Sequence, residues 1–296
     1  MDACNITPEL AKHLIQAQFP EYGALAVSSV ETQGHDNRTY RLGDDLLIRM
    51  PIDANYALKV PQEQKFLPRL AKKVRMPIPQ PIKMGGPSEQ YPYPFSIYKW
   101  LEGRSADQET VDDRALETIA VSLANFLQEL QGITDIEGPC PGQHNWWRGD
   151  PVRVYDQEAR TQIAHLSGKI DSRRALQLWE RACSTQRKKK PVWIHGDFAA
   201  SNILIQNRKV SGIIDFGGMA MGDPACDLVI AWTYLKGNAR ELFIREMDLD
   251  KDTWLRAQAW ALWKATFTLL RLVDEESYEA SLEKKLIEEI LDAAFL

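Results

Sequence analysis

Hydrophobic periodicity changes once along this chain, and the change divides it. Between Ala24 and Met50, apolar and polar residues alternate in three short runs, Ala24 to Thr32, Arg38 to Leu42 and Leu46 to Met50, broken by Gly34 and by Gly43-Asp44-Asp45. A two-residue period turns one face of each run toward a core, so these runs read as antiparallel strands joined by turns. A helix is predicted to begin within Ala57 to Leu70, with Pro68 kinking or ending it. Prolines then punctuate residues 76 to 94, and Phe95 to Tyr98 reads as a last, buried strand. After Glu102-Gly103-Arg104 the period becomes helical, since Leu116, Ile119, Ala120, Leu123, Phe126, Leu127 and Leu130 recur at steps of three and four. The pattern predicts an α+β chain with a sheet-rich lobe over residues 1–98, a hinge over 99–104, a helical lobe over 105–296 and a cleft where the lobes meet.

The 296 residues are enough for two such lobes at about 150 residues each. With 44% hydrophobic and 26% charged residues, the composition is that of an ordinary folded protein rather than a disordered or membrane-spanning one. Lys plus Arg number 36 against 41 Asp plus Glu, and a net charge of -5 gives no field that would draw nucleic acid or an anionic membrane. Met1-Asp2-Ala3-Cys4-Asn5 has neither a basic stretch nor an apolar run, which predicts a cytoplasmic protein. Cys4, Cys140, Cys183 and Cys226 are widely spaced and read as reduced thiols. Arg148-Gly149-Asp150 is too short a match to carry an adhesion role, Arg187-Lys188-Lys189-Lys190 reads as a solvated loop, and Trp232, Trp254, Trp260 and Trp263 read as helix faces packed in a core.

The chemistry concentrates in His195-Gly196-Asp197-Phe198-Ala199-Ala200-Ser201-Asn202 and Ile213-Ile214-Asp215-Phe216-Gly217. Asp197 and Asn202 lie five residues apart between the strand-like runs Val192-Trp193-Ile194 and Ile203-Leu204-Ile205, and Asp215 follows thirteen residues after Asn202, past the run that starts at Val210. Any one of the three alone reads as a turn residue. Together, their order and spacing resemble the catalytic loop and metal-binding aspartate of the kinase-like superfamily, and Gly196 makes the aminoglycoside phosphotransferase-like family the closer match.

This resemblance implies a bilobal protein-kinase-like fold and transfer of the γ-phosphoryl group of ATP or GTP, with Mg²⁺, to a hydroxyl of a small molecule. The acceptor it implies is an aminoglycoside-type antibiotic or an amino sugar. A kinase of choline, a sugar, another small alcohol or a macrolide, and a nucleotide-binding pseudokinase, remain the alternatives, and no oligomeric state is implied. Asp197 would accept a hydrogen bond from the acceptor hydroxyl, while Asn202 and Asp215 would offer Mg²⁺ the hard oxygen ligands it prefers. His195 would shape the loop. Asp227, in Asp223-Pro224-Ala225-Cys226-Asp227, would either brace that loop or cap a helix.

On the nucleotide side the resemblance points to Gly34 and Asn37 in a phosphate-covering loop, and to Arg49 as the phosphate-binding cation where protein kinases carry Lys, with Lys59 as the alternate. Glu63 takes the place of the acid that pairs with that cation, and Lys99 and Leu101 would meet the adenine through their backbones. Asp223, Asp274, Glu275 and Glu276 are available to a cationic acceptor, though each also reads as a solvated acid.

Overall fold

A computed structural model describes residues 6–31, 33–274 and 276–293, so Met1 to Asn5, including Cys4, together with Thr32, Glu275 and Ala294 to Leu296, lie outside the described residues. The chain forms two compact units, the first containing the residues up to Gly103 together with Ser211–Gly217, the second Arg104–Val210 and Gly218–Leu296. Residues 211–217, expected in the helical part, therefore cluster with the sheet. They are tied there by the Ile213 N–H, which donates to the Pro77 carbonyl at 3.0 Å, and by the Ser211 hydroxyl, which donates to the Glu102 carbonyl at 2.6 Å.

The first unit opens with α1 (Pro8–Gln18), which the sequence reading did not anticipate. Its start is well marked nonetheless, because Thr7 caps it by accepting from the Leu10 N–H and Pro8 occupies its first turn. Strands β1 (Val27–Ser29), β2 (Asn37–Leu42) and β3 (Leu46–Pro51) follow, then α2 (Ala54–Ala57), α3 (Lys59–Leu70), β4 (Pro81–Gly85) and β5 (Phe95–Lys99). The five strands make one antiparallel sheet in the order β1-β2-β3-β5-β4. The proline-punctuated stretch thus contributes a strand, and Pro81 is tolerated because β4 is at the sheet edge.

Alternation does the sorting in β3. Ile48 and Met50 are fully buried in a core shared with Leu14, Ile15, Phe95 and Ile97, while Arg49 between them points to the opposite face. Helix α3 runs through Pro68 rather than stopping at it. The proline is two residues from the last helical residue, the next backbone bond, Ala71 N–H to the Leu67 carbonyl at 2.9 Å, is intact, and Leu67 and Leu70 are fully buried on either side.

The second unit begins with β6 (Arg104–Ser105) and α4 (Asp113–Gln131), continues through α5 (Asp156–His165) and α6 (Ser172–Ser184), and reaches β7 (Val192–Ile194) and β8 (Ile203–Gln206). The chain crosses between units within β9 (Lys209–Ile213) and returns before β10 (Ala220–Gly222). Helices α7 (Ile230–Thr233), α8 (Gly237–Met247), α9 (Lys251–Arg271) and α10 (Tyr278–Asp292) complete it. The apolar face predicted for α4 is buried, and the alanine-rich α9 is buried along most of its length, with Trp254 and Trp260 packed in the core as expected. Short strand β7 pairs with β10, matching Ile194 with Ala220, and Trp193 is anchored by donation from its indole to the Ile136 carbonyl at 2.8 Å. Among the described residues, no helix is long and apolar enough to cross a membrane.

Candidate active site

Each unit carries its own group of the candidate site residues. In the first, Arg49 is the hub. Its Nη1 is 3.1 Å from Glu63 Oε1 on α3, and its Nη2 is 2.5 Å from Asp215 Oδ1. With the Asn37 amide turned so that its oxygen faces the guanidinium, that oxygen accepts from Nε and Nη2, each at 3.2 Å. Three of the predicted residues on the nucleotide side, Asn37, Arg49 and Glu63, and the predicted metal ligand Asp215 are therefore brought together. Burial alone would lower the Arg49 pKa, but Asp215 and Glu63 outweigh it and push the pKa up, so the guanidinium stays charged.

Glu63 is only 4% exposed, and its second oxygen accepts from the Tyr98 hydroxyl at 2.5 Å. Burial and the neighbouring Glu63 carboxylate hold the Tyr98 phenol well above its ordinary value. The sequence reading missed Tyr98 as a partner of Glu63. A signal existed, since Glu63 falls within the buried stripe Val60, Phe66, Leu67 and Leu70 of α3, where a lone carboxylate requires partners.

Gly34 lies in the loop before β2, where its carbonyl accepts from Arg38 Nη1 at 3.1 Å and the Gln33 side chain makes two hydrogen bonds to the Thr39 backbone. Lys59, the alternate cation, pairs with Asp36 at 3.0 Å and packs its stem against Gly217, where a Cβ would come within 2.9 Å of Lys59 Cδ. In the expected hinge, the Lys99 N–H donates to the Gln80 carbonyl at 3.1 Å and the Trp100 N–H donates to the Asp45 carbonyl at 2.8 Å, so a backbone contact from Lys99 would be made through its carbonyl. Asp215 itself has a left-handed backbone, φ 63°, a strained conformation for a residue with a side chain and one that concentrates at functional positions.

In the second unit the turn between β7 and β8 is held from beneath by Asp227. This carboxylate is fully buried and accepts from the His195 N–H at 2.7 Å and the Gly196 N–H at 2.8 Å. Burial pushes the Asp227 carboxyl above its ordinary value, opposed by the neighbouring His195 and the two backbone donors. Of the two readings the sequence left open, bracing is the observed one, and the cap is Asp223, which accepts from the Ala225 N–H. Gly196 is required at its position, because φ is 80° and a Cβ would lie 2.0 Å from the Gly218 carbonyl oxygen.

His195 is fully buried, and its Nδ1 accepts from the Asp197 N–H at 3.2 Å. It therefore acts on the shape of the turn. Asp197 carries its side chain toward solvent, with Oδ1 3.2 Å from Arg148 Nη1. Asn202 donates its amide nitrogen to the Asp197 carbonyl at 2.9 Å, which ties the two ends of the turn together. Taken separately, the Asn202 amide oxygen and the Asp215 carboxylate are each hard oxygen donors of the kind Mg²⁺ prefers.

The acids considered for a cationic acceptor are otherwise occupied or exposed. Asp223 is buried and chelated by Arg256, at 2.5 and 3.3 Å, which is a structural pair. Asp274 accepts from the Glu276 N–H at 2.9 Å in an exposed turn, and Glu275 is outside the described residues. Lys188 of the basic run pairs with Asp252 on the surface. Cys140, Cys183 and Cys226 are free thiols.

The sequence model of the APH phosphotransferase enzyme family matches residues 31–265, most of the chain and the whole of both side-chain groups. This chain belongs to that phosphotransferase family. An aminoglycoside 3'-phosphotransferase of Escherichia coli is 29% identical over 140 residues, 46% of this chain and 51% of the relative, so the match spans about half the length of that protein. The GDP complex of wild-type aminoglycoside 2'-phosphotransferase-IIIa superposes with a TM-score of 0.74 at 22% identity, covering 97% of this chain and 99% of that one. The GDP and kanamycin complex of a 2''-phosphotransferase gives 0.71 at 23% identity, over 95% and 97% of the two chains. The fold is the bilobal α+β kinase-like fold of these enzymes.

Proposed function

We propose that this protein is an O-phosphotransferase that moves the γ-phosphoryl group of ATP or GTP to a hydroxyl of a small molecule of the aminoglycoside or amino-sugar type, working in the cytoplasm. The observation that carries this reading is the built turn at Asp197, in which a buried carboxylate and a buried histidine hold the backbone while the Asp197 side chain stays outside. Phosphoryl transfer asks the protein mainly for positioning and charge stabilisation, because its transition state is loose. Asp197 would receive the hydrogen bond of the acceptor hydroxyl, orient it for in-line attack and take its proton late. Arg49, oriented by Glu63 and Asn37, would supply positive charge to the nucleotide phosphates, Gly34 a loop over them, and Lys99 and Leu101 backbone contacts to the base. Mg²⁺, with Asn202 and Asp215 as its protein ligands, would offset negative charge on the phosphates when bound. The aminoglycoside-type acceptor is supported by the relatives, whose names include aminoglycoside phosphotransferases and a kanamycin complex.

The test is product mass after incubation with Mg²⁺ and ATP or GTP over kanamycin, streptomycin, a macrolide, choline and simple sugars. A gain of one phosphoryl group on an aminoglycoside is the expected result, and Asp197→Ala should lower the rate by roughly 10²- to 10⁴-fold. Nucleotide binding without transfer to any acceptor would favour a regulatory nucleotide-binding module instead.

A further inference from the structure

The tripeptide Arg148-Gly149-Asp150, which the sequence reading set aside, belongs to a loop with no extended helix or strand and an unusual backbone. Its single 3₁₀ turn, Gln143–Asn145, is followed by Trp146 and Trp147 at φ 51° and 53° and by Gly149 at φ 91°. Left-handed tryptophans cost free energy and persist only where the surroundings over-determine them. Three anchors do so here. Asn145, fully buried, accepts from the Gly142 N–H at 3.0 Å and donates to the carbonyls of Arg148 at 2.9 Å and Gly218 at 3.2 Å. The Tyr155 hydroxyl donates to the Trp146 carbonyl. Gly149 sits where a Cβ would come within 2.5 Å of Ile194 Cδ1, and its carbonyl accepts from the N–H of Asp223, the residue that Arg256 chelates.

Arg148 is thus fixed through its own carbonyl on one side and through Gly149 on the other, and its Nη1 reaches Asp197 Oδ1 at 3.2 Å. The two side chains are 25% and 37% exposed, and an ion pair that open to water contributes little to stability. A strained, multiply anchored loop is out of proportion to that contribution and in proportion to placing one carboxylate. We propose that Arg148 is the positioning residue of Asp197: it holds Oδ1 and thereby sets the rotamer in which Oδ2 meets the acceptor hydroxyl. This inference rests on Asp197 being the group that receives that hydroxyl. A planar guanidinium held in one orientation suits the role better than an ammonium.

The experiment compares wild type, Arg148→Met, Arg148→Lys, Asp197→Asn and the Arg148→Met/Asp197→Asn double variant with MgATP and the acceptor that gains a phosphoryl group. Arg148→Met should lower kcat by about 10²-fold with the KM for MgATP unchanged, as expected for a misplaced reacting group. Arg148→Lys should recover about tenfold of that loss, and in the Asp197→Asn background Arg148→Met should change kcat by less than about twofold, because the two act as one unit. An equal loss in both backgrounds, or no loss in Arg148→Met, overturns the proposal. A crystal structure of Arg148→Met decides independently of turnover: a displaced Asp197 carboxylate is expected, and an unchanged rotamer overturns the positioning role. Should Asp197→Asn transfer as fast as wild type, or no acceptor be modified at all, the functional reading fails while the crystal structure still tests the placement.

Discussion

The Arg49–Glu63–Asp215 group and the His195–Asn202 turn both hold acidic side chains to which the proposed function gives roles, and they hold them by opposite means. In the first, side chains hold side chains: one guanidinium is shared among two carboxylates and the Asn37 amide, and Glu63 is secured again by Tyr98. In the second, a buried side chain holds backbone, since Asp227 grips two successive N–H groups and the Asp197 carboxylate itself stays partly solvated. A charge-held group is strong only while every member is present, because removing one leaves a buried charge uncompensated. A backbone-held turn depends on conformation, and its outward side chain can change without loss of the frame. Folding and chemistry are therefore coupled at Arg49 and separable at Asp197.

Glu63→Ala tests this contrast hardest. It strips the nearly buried Arg49 of one carboxylate and Tyr98 of its acceptor, so unfolding in urea should show a loss of about 3–5 kcal/mol. Asp197→Ala, the change that most reduces transfer, should leave the urea midpoint close to wild type; a loss comparable to that of Glu63→Ala would erase the distinction. Gly196→Ala should cost about 1–3 kcal/mol by the same measurement, since the turn must relax from φ 80° and clear the Gly218 carbonyl, and transfer should fall with it.

The Asp227 prediction concerns pH. Its folded-state pKa lies above the ordinary 3.8, chiefly through burial, so its contribution to stability is complete below 3.8 and is lost as pH rises through the folded-state value. The unfolding free energy of wild type minus that of Asp227→Asn, followed by denaturation across the acid range, should accordingly decline with rising pH; an increase would contradict the assigned shift. Smallest of all, Asp274→Ala lies outside both groups in an exposed turn and should alter stability by no more than about 0.5 kcal/mol.

Much of this was legible before any coordinates. The strands β2, β3 and β5, the buried face of α4 and the short strands around the Asp197 turn all follow from local period, and they lie within a residue or two of where alternation placed them. The elements that escaped notice were those whose local signal was diluted: α1, close to the N-terminus, and β4, masked by its prolines. Which backbone group of Lys99 stays open was not legible for a related reason, since the pairing of its N–H depends on the neighbouring strand and not on the residue.

Period and spacing, read in one dimension, sufficed for the α+β class and for the family resemblance, and they singled out the trio Asp197, Asn202 and Asp215 as candidates, because burial of an element's face and the length of a turn are local properties. The partners of those residues are not local. Asp215 meets Arg49 across 166 positions and His195 meets Asp227 across 32, while Asp197 finds its arginine in a tripeptide that looked incidental. Such contacts arise only when separate elements pack, since a charge takes whichever counter-charge the packed backbone brings within a few ångströms, and no periodicity along the chain encodes that distance.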